Sequence, residues 1–581
     1  MKSISIYRKL VLLSVAVCTT LMTSCTDFLT IIPPDKIVHE QFWQTKDDVN
    51  GMLATSYLKL ASSNAISRAI VWGELRSDDM TFESNKTTGD EIRYIVEANI
   101  TEDNSYSRWG IFYQAINYAN LVIEYAPLVV DRDPDFSQGN LDVVLGEMYA
   151  MRALCHFYLV RTFRDIPMAM SPAANDSELP DYVQVHPLDA LDMIMDDLNI
   201  AEGLVMNSGS YAKKEENYGR ITKNAVLAMK ADVNLWRAAF TEYGQANGDA
   251  VASVDPQIYY TQCINNCQAV LDNMKANYES NSKKTEDLKK DEPYYLISNV
   301  NEFVTQNEDY KSIAYNEIFV SENSRESIFE LQIDKDLCSQ SSGNADGDNF
   351  KGLQNMYGAS DVTPQVEVPT AFLNKYEKDD LRKFSFTNCP HIKNAEMPLK
   401  IVIAKYIANT SPATTKSELR AKDKVDANWI IYRQTDVMLM MAEALVLQKS
   451  ATNDDIKKSF DIVNTINKRS RVDTTDIFKP LNMPVSVKNA ADLVLDERVR
   501  ELAFEGKRWY DLVRKALREN TTDNIKFVAD KLTSGAATVK NKMVGIDNLF
   551  FPIHAEELRF NKNLKQNPAY NSEESSIGMN K

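Results

Sequence analysis

The sequence predicts a mostly helical protein, assembled from antiparallel hairpins with loop-rich insertions and a few short strands. Three observations predict it. Apolar residues recur at helical spacing through most of the chain, alanines sit where helices must approach, and strand-like alternation is confined to two short stretches. At 581 residues the chain can bury a large core, and 44% hydrophobic with 25% charged residues describes a globular body. A formal net charge of −17, with no long basic run, excludes a binder of nucleic acid.

The first element is a leader. "MKSISIYRK" carries Lys2, Arg8 and Lys9, and "LVLLSVAVCTTLM" adds an apolar run too short to span a bilayer. It ends in "MTSC", where the small residues Thr23 and Ser24 precede Cys25 as at a lipoprotein signal-peptidase site. Cys18 suits such a site less well, because Val17 precedes it. Cleavage before Cys25 removes three positive charges, and acyl chains there hold the chain to a membrane at about 0.8 kcal/mol per buried CH₂.

The helices follow in order: 108–126, 141–163, 188–205, 222–240, 259–274, 431–448 and 454–470. Ala153, Ala228, Ala231, Ala442 and Ala444 mark close approaches, and the best hairpins pair 222–240 with 259–274 and 431–448 with 454–470. This is a tetratricopeptide-like arrangement whose 34-residue period is broken by insertions. "SIFELQID" (327–334) and "LKIVIAKYIA" (399–408) read as strands. The insertion 338–364 is dense in Ser, Gly, Asn and Asp, and a loop of this length in a compact domain is usually functional or disordered. Asp346 and Asp348 beside Gly347 lack the glutamate of a calcium loop.

Beyond Cys18 and Cys25 there remain Cys155, Cys263, Cys267, Cys338 and Cys389, too few and too odd in number for a disulfide framework. Cys263 and Cys267 lie one helical turn apart but have no histidine near, so they read as packed thiols rather than zinc ligands. No metal or cofactor is expected. The chain holds no HExxH, GxSxG or P-loop, and His156 sits within a buried-looking helix as a core histidine.

The stretch "DERVRELAFEGKRWYDLVRK" (496–515) reads as one helix. Leu495, Val499, Leu502, Gly506, Trp509 and Val513 form its apolar stripe, and Asp496–Arg500, Glu505–Arg508 and Asp511–Lys515 form surface pairs. Glu501 and Glu505 share a face but are not read as catalytic. Arg498 and Arg508 stand within a turn and hold them ionised, whereas a glycosidase acid needs a raised pKa beside a cleft. "VMLMMAEALVL" (437–447) is apolar except at Glu443. A buried carboxylate requires a base, so Glu443 is expected to pair with Arg498, Arg500 or Arg508.

A set of motifs resembles the SusD/RagB outer-membrane lipoproteins of Bacteroidetes nutrient-uptake systems. It comprises "CTDFLTIIPPD", "FWQTKDDVNGMLATSYLKL", "WGELRSDDM", "RWGIFYQAINYANLVI", "GEMYAMRALCHFYLVRTFRDIPM" and "RITKNAVLAMKADVNLWRA", followed by "RESIFELQ", "YRQTDVMLMMAEAL", "DERVRELAFEGKRWYDLVR" and "FFPIHAEELRFNKNLKQNPAY". His554 departs from the family's proline. The resemblance implies a leader (1–24), an N-terminal helical region (25–290) and a C-terminal region carrying ligand-side insertions (291–581). It also implies a non-enzymatic, surface-exposed protein that is lipid-anchored at Cys25. Such a protein hands oligosaccharides to a SusC-like TonB-dependent transporter; some relatives handle peptides, and a surface glycosidase is the remaining alternative.

Sugars present apolar C–H faces and hydroxyls, so a binder needs exposed aromatics beside polar side chains. Trp43, Trp72, Trp109, Trp236 and Trp509 fall in the scaffold motifs, and Trp429 is expected to open a buried helix. The ligand-binding residues expected instead are Tyr357 with Asn355 and Gln354, and then Tyr94 with Asp90.

Overall fold

The computed structural model describes residues 42–83, 90–173, 182–281, 294–297, 312–336, 349–377, 379–388, 401–409, 419–471 and 481–571. Cys25 and its leader, Cys338, Cys389, Asp346 and Asp348 lie outside the described residues.

The principal helices are α1 (Lys46–Ala61), α2 (Ser63–Ile70), α3 (Gly110–Tyr125), α4 (Gln138–Phe163), α5 (Pro187–Leu204), α6 (Lys223–Ala246), α7 (Pro256–Asn281), α8 (Gln434–Leu447), α9 (Asn453–Arg469), α10 (Val487–Leu502) and α11 (Arg508–Arg518). Their starts follow local chemistry. Ser137 and Thr452 accept from amides in the first turns of α4 and α9, and Pro187 opens α5 where its missing N–H costs nothing. The helices form an array in which each packs on the next: α3 on α4, α4 on α5, α5 on α6, α6 on α7, α7 on α8, and α8 on α9 and α10. Both hairpins expected from the sequence are present, α6 with α7 and α8 with α9. Helix α4 is apolar enough to cross a bilayer by composition, yet most of it is buried by its neighbours. Cys155, Cys263 and Cys267 are free and buried, and His156 accepts the Ala169 amide at Nε2 with its pKa pushed down to about 3 by burial and then by Arg152.

Three segments differ from the sequence reading. Residues 429–433, expected to begin a helix at 431, instead form strand β2 (Trp429–Arg433), antiparallel to β1 (Ser327–Leu331). "WIIYR" is aromatic and β-branched, but its partner lies about a hundred residues upstream and is invisible to local periodicity. Of the expected strand 399–408, only Val402–Ile403 forms a strand among the described residues, and Ala408 makes a lone bridge to Leu419. Finally, 496–515 is two helices, not one. The chain breaks at 503–507, where Phe504 and Gly506 take φ of 66° and 72°. The reason is a contact with the N-terminal half. Glu74 accepts the amides of Phe504 (2.6 Å), Lys507 (2.7 Å) and Arg508 (3.2 Å), capping α11. A Cβ on Gly73 would fall on the Gly506 carbonyl, and one on Gly506 would lie 2.9 Å from the Ala69 carbonyl oxygen.

Most of this segment is buried, and its charges pair otherwise than expected. Arg500 meets Glu497 while Asp496 is exposed, Arg508 meets Asp78, Asp511 meets Arg498 and Arg514, and Lys515 meets Asp492 and Glu519. Glu501 takes three guanidiniums, Arg382 (3.0 Å), Arg433 (2.7 Å) and Arg469. Glu505 takes Arg433 (2.7 Å) and Lys405 (2.6 Å). Burial pushes both carboxyls up, but these cations outweigh it: Arg469, Arg433 and Arg382 at Glu501, then Arg433 and Lys405 at Glu505. Both acids are therefore held ionised, by partners other than the expected Arg498 and Arg508.

Glu443 is buried and paired, though not with the arginines nominated. Its carboxylate meets Arg514 (2.9 Å) and Arg518 (3.0 Å), while Arg498 turns to Asp436 and Asp511, Arg500 to Glu497 and Arg508 to Asp78. The break at 503–507 explains the correction, because it re-aims α11 and brings its last turns against α8. Burial raises the Glu443 carboxyl, but Arg514, Arg518 and Arg498 pull it down to about 2. A pKa depressed on folding contributes stability that is present above the unfolded value of about 4.3 and lost as pH falls towards 2. The urea midpoint should therefore hold steady down to about pH 5 and decline below it. Glu443→Ala should cost about 3–5 kcal/mol at pH 7, because it leaves buried Arg514 and half-buried Arg518 short of a partner; urea titration at pH 7 and pH 3 measures both effects.

Candidate functional site

Between the α5–α6 connection, the last turns of α7 and the start of β1 lies an open cleft of about 360 Å³. Tyr218 and Tyr278 supply aromatic surface, Asn277 and Asn224 amides, and Lys214 and Arg325 positive charge. Each wall is held from below. The connection is anchored on Glu147 of α4, fully buried, which takes Arg220 and the hydroxyls of Tyr57 (2.5 Å) and Tyr211 (3.2 Å). Burial raises the Glu147 carboxyl and Arg220 opposes that rise. Asn217 closes the loop by accepting the Tyr211 amide (3.0 Å) and donating to the Tyr211 and Lys213 carbonyls. Helix Lys214–Gly219 then packs directly on β1.

The opposite wall is built on an acid of the buried ion network. Glu326, one residue past Arg325, meets Arg469 (2.8 Å) and accepts the Ile297 amide (2.7 Å). That bond fixes segment 294–297, whose Tyr295 ring lies 4.9 Å from Tyr278 at 32°. Arg325 lies over Tyr278, 5.0 Å from the ring centroid, donating to the Tyr278 hydroxyl (3.4 Å) and the Leu296 carbonyl (3.2 Å). The result is a half-exposed tyrosine held in place between an arginine and a second tyrosine. Such a surface suits a flat, partly apolar, hydroxylated ligand. Among the described residues no carboxylate lines the cleft, and no group of three His, Cys, Asp or Glu side chains is placed to hold a metal.

The residues expected from the sequence are elsewhere. Tyr357 is fully buried, donating to the Phe504 carbonyl (2.8 Å) and stacked 6.2 Å from Tyr406, so no ligand can lie against it. Gln354 is buried and accepts the Asp423 amide (2.6 Å), while Asn355 donates to Ser63 (3.0 Å). This part of the insertion is tucked against α2 rather than looped into solvent, and Gly352 allows the approach by sitting on Ile66. Tyr94 and Asp90 lie on a separate short helix, Asp90–Val96. There the Arg93 guanidinium covers the Tyr94 ring at 5.1 Å and meets exposed Asp90 at 2.6 Å. All six tryptophans are buried.

What the sequence reading missed was Tyr278. Helix α7 runs past the apolar periodicity that ends at 274, and its last polar turn, "NYESN", projects the tyrosine. Arg325, hidden in "RESIFELQ", read as scaffold.

The family model described as "SusD family" matches residues 387–570, and that described as "Starch-binding associating with outer membrane" matches residues 27–235. The chain is similar to the SusD-like protein P38 of Formosa agariphila, 25% identical over 98% of this chain and 99% of that one. The SusD-like protein P2 of the same organism is 22% identical over 85% and 88%. Among solved structures, a SusD superfamily protein of Bacteroides vulgatus aligns over 91% of this chain and 100% of its own, with 18% identity and a TM-score of 0.63. NanU of B. fragilis aligns over 93% and 100%, with 19% identity and a TM-score of 0.60.

Glu326→Ala should test how the cleft is held. It orphans the Ile297 amide and frees the second tyrosine, so exchange of that amide should quicken about tenfold or more, with about 1–3 kcal/mol lost in stability. Hydrogen exchange read at residues 294–297 measures the first effect and urea titration the second.

Proposed function

Because the chain belongs to the SusD family, we propose that it is a non-catalytic binder of oligosaccharides that works in an uptake pair at the outer membrane. In this reading acyl chains on Cys25 hold it at the outer face, and it passes captured sugars to a SusC-like TonB-dependent transporter. The relatives named SusD-like and the family description "Starch-binding associating with outer membrane" support the sugar and the membrane.

The observation that carries the binding role is the Tyr278 platform flanked by Asn277 and Arg325 at an open cleft. The half-exposed aromatic surface suits sugar C–H groups, and the amides and guanidinium suit hydroxyls. A hydrolytic role has less support. Glycosidases flank the scissile bond with two carboxyls, one of them raised in pKa. No acid lines this cleft among the described residues, and Glu501 and Glu505 are buried and bonded to cations.

Electrophoresis of the protein through gels cast with plant, host or microbial polysaccharides tests the reading. Retardation by at least one, without release of reducing ends, is the expected result. Tyr278→Ala should weaken that retention about tenfold, in line with the 0.5–1.5 kcal/mol of an aromatic contact plus its buried area, while Tyr357→Phe should leave it unchanged. If Tyr278→Ala is retained like the wild type, the cleft is not the site. Separately, cells fed a fatty-acid analogue should label the wild type and not Cys25→Ala; equal labelling excludes the anchor.

A further inference from the structure

Resting on the reading of the cleft as a sugar site, we propose that it selects glycans that carry a negative charge, a uronate carboxylate or a sulfate, and that Arg325 and Lys214 receive that charge. The protein as a whole is acidic, at −17, yet the only charged side chains lining the cleft among the described residues are these two cations. They differ from the cations of the buried ion network. Arg382, Arg433, Arg469, Lys405 and Arg514 each meet at least one carboxylate within 3 Å. Arg325 instead meets a ring, a hydroxyl and a carbonyl, and Lys214 is exposed with no ion pair among the described residues.

Glu330 of β1 feels Lys214 but does not cancel it: it is buried, accepts from Ser327 (2.5 Å) and Asn428 (2.9 Å), and burial pushes its carboxyl up. Arg325 is also preorganised. Stacking on Tyr278 and donation to Leu296 hold its planar fork at the rim, so receiving an anion costs little side-chain entropy. The half-exposed tyrosine leaves part of its ring surface open beside the guanidinium, so one ligand ring can rest against it while its anionic substituent reaches the fork. Lys214, on the facing wall, adds a second positive charge from a flexible stem.

Calorimetry on the full chain in detergent, with three probes, tests this: trigalacturonate, its full methyl ester, and a monosulfated galactose trisaccharide. At about 50 mM NaCl at least one charged probe should bind about tenfold or more tighter than the ester, and the gap should shrink several-fold at about 500 mM NaCl. Which anion shows the gap distinguishes carboxylate from sulfate. Arg325→Gln and Lys214→Gln should each close part of the gap by weakening the charged probe several-fold more than the ester, and Arg325→Lys should restore part of it. Charged and neutral probes that bind alike, with Tyr278 still required, overturn charge selection and leave the sugar site standing. Silence of all three probes beside Tyr278-dependent retention by a neutral polysaccharide does the same. Binding of any probe that ignores Tyr278 overturns both readings.

Discussion

One carboxylate organises the C-terminal half. Glu501 sits at the end of α10 and receives guanidiniums from the end of β2, the end of α9 and the segment at 382. Burying an acid is costly, and burying three arginines without it would cost more. Acid and bases therefore depend on one another: remove the acid and three buried arginines, on three elements, each lose one of their carboxylates. From this point the network extends through Arg433 to Glu505 and Lys405, and through Arg469 to Glu326. Glu326 in turn fixes residues 294–297 and one wall of the cleft. The chemistry of the exposed cleft thus rests on electrostatics settled deep in the core.

That arrangement reconciles two facts about the protein. It carries a surplus of acid, yet its most arginine-rich segment is interior. Forked guanidiniums satisfy two carboxylates at once, as Arg382 does with Asp380 and Glu497 and Arg433 with Glu501 and Glu505. Lysine lacks that planar fork, and where it is fully buried, at Lys405, it is backed by carbonyls of 501 and 503.

The helices were legible because their apolar stripes are local and long; α6, α7, α8 and α9 all fall where periodicity places them. The need for a base at Glu443 was legible too, since an acid in an apolar helix has few alternatives. Which arginine answers it was not. That depends on the break at 503–507, and the break depends on Glu74 and Gly73, from the other end of the chain. The apolar stripe through Leu502, Gly506 and Trp509 suits a continuous helix equally well, so nothing local signals the turn. Strand β2 was lost for the same reason, its partner being remote. The cleft was hardest of all. Its residues come from three separated segments, each polar at its own helix or strand end, and Tyr357 looked more exposed in its loop than Tyr278 did on its helix.

The Glu74 cap on α11 also sets an order of events. Its hydrogen bonds join residues 430 positions apart, while the helical hairpins make contacts between neighbours in sequence. Contacts of short separation form early, and those that close long loops form late. As the chain is made and emerges, α3 to α7 can stack successively, but Glu74 stays without its amides until residue 508 has arrived. The turn at 503–507 is thus the latch of the molecule. A chain cut short before it keeps its array of hairpins and loses the means of closing it, leaving an apolar flank on which other unfinished chains can stick.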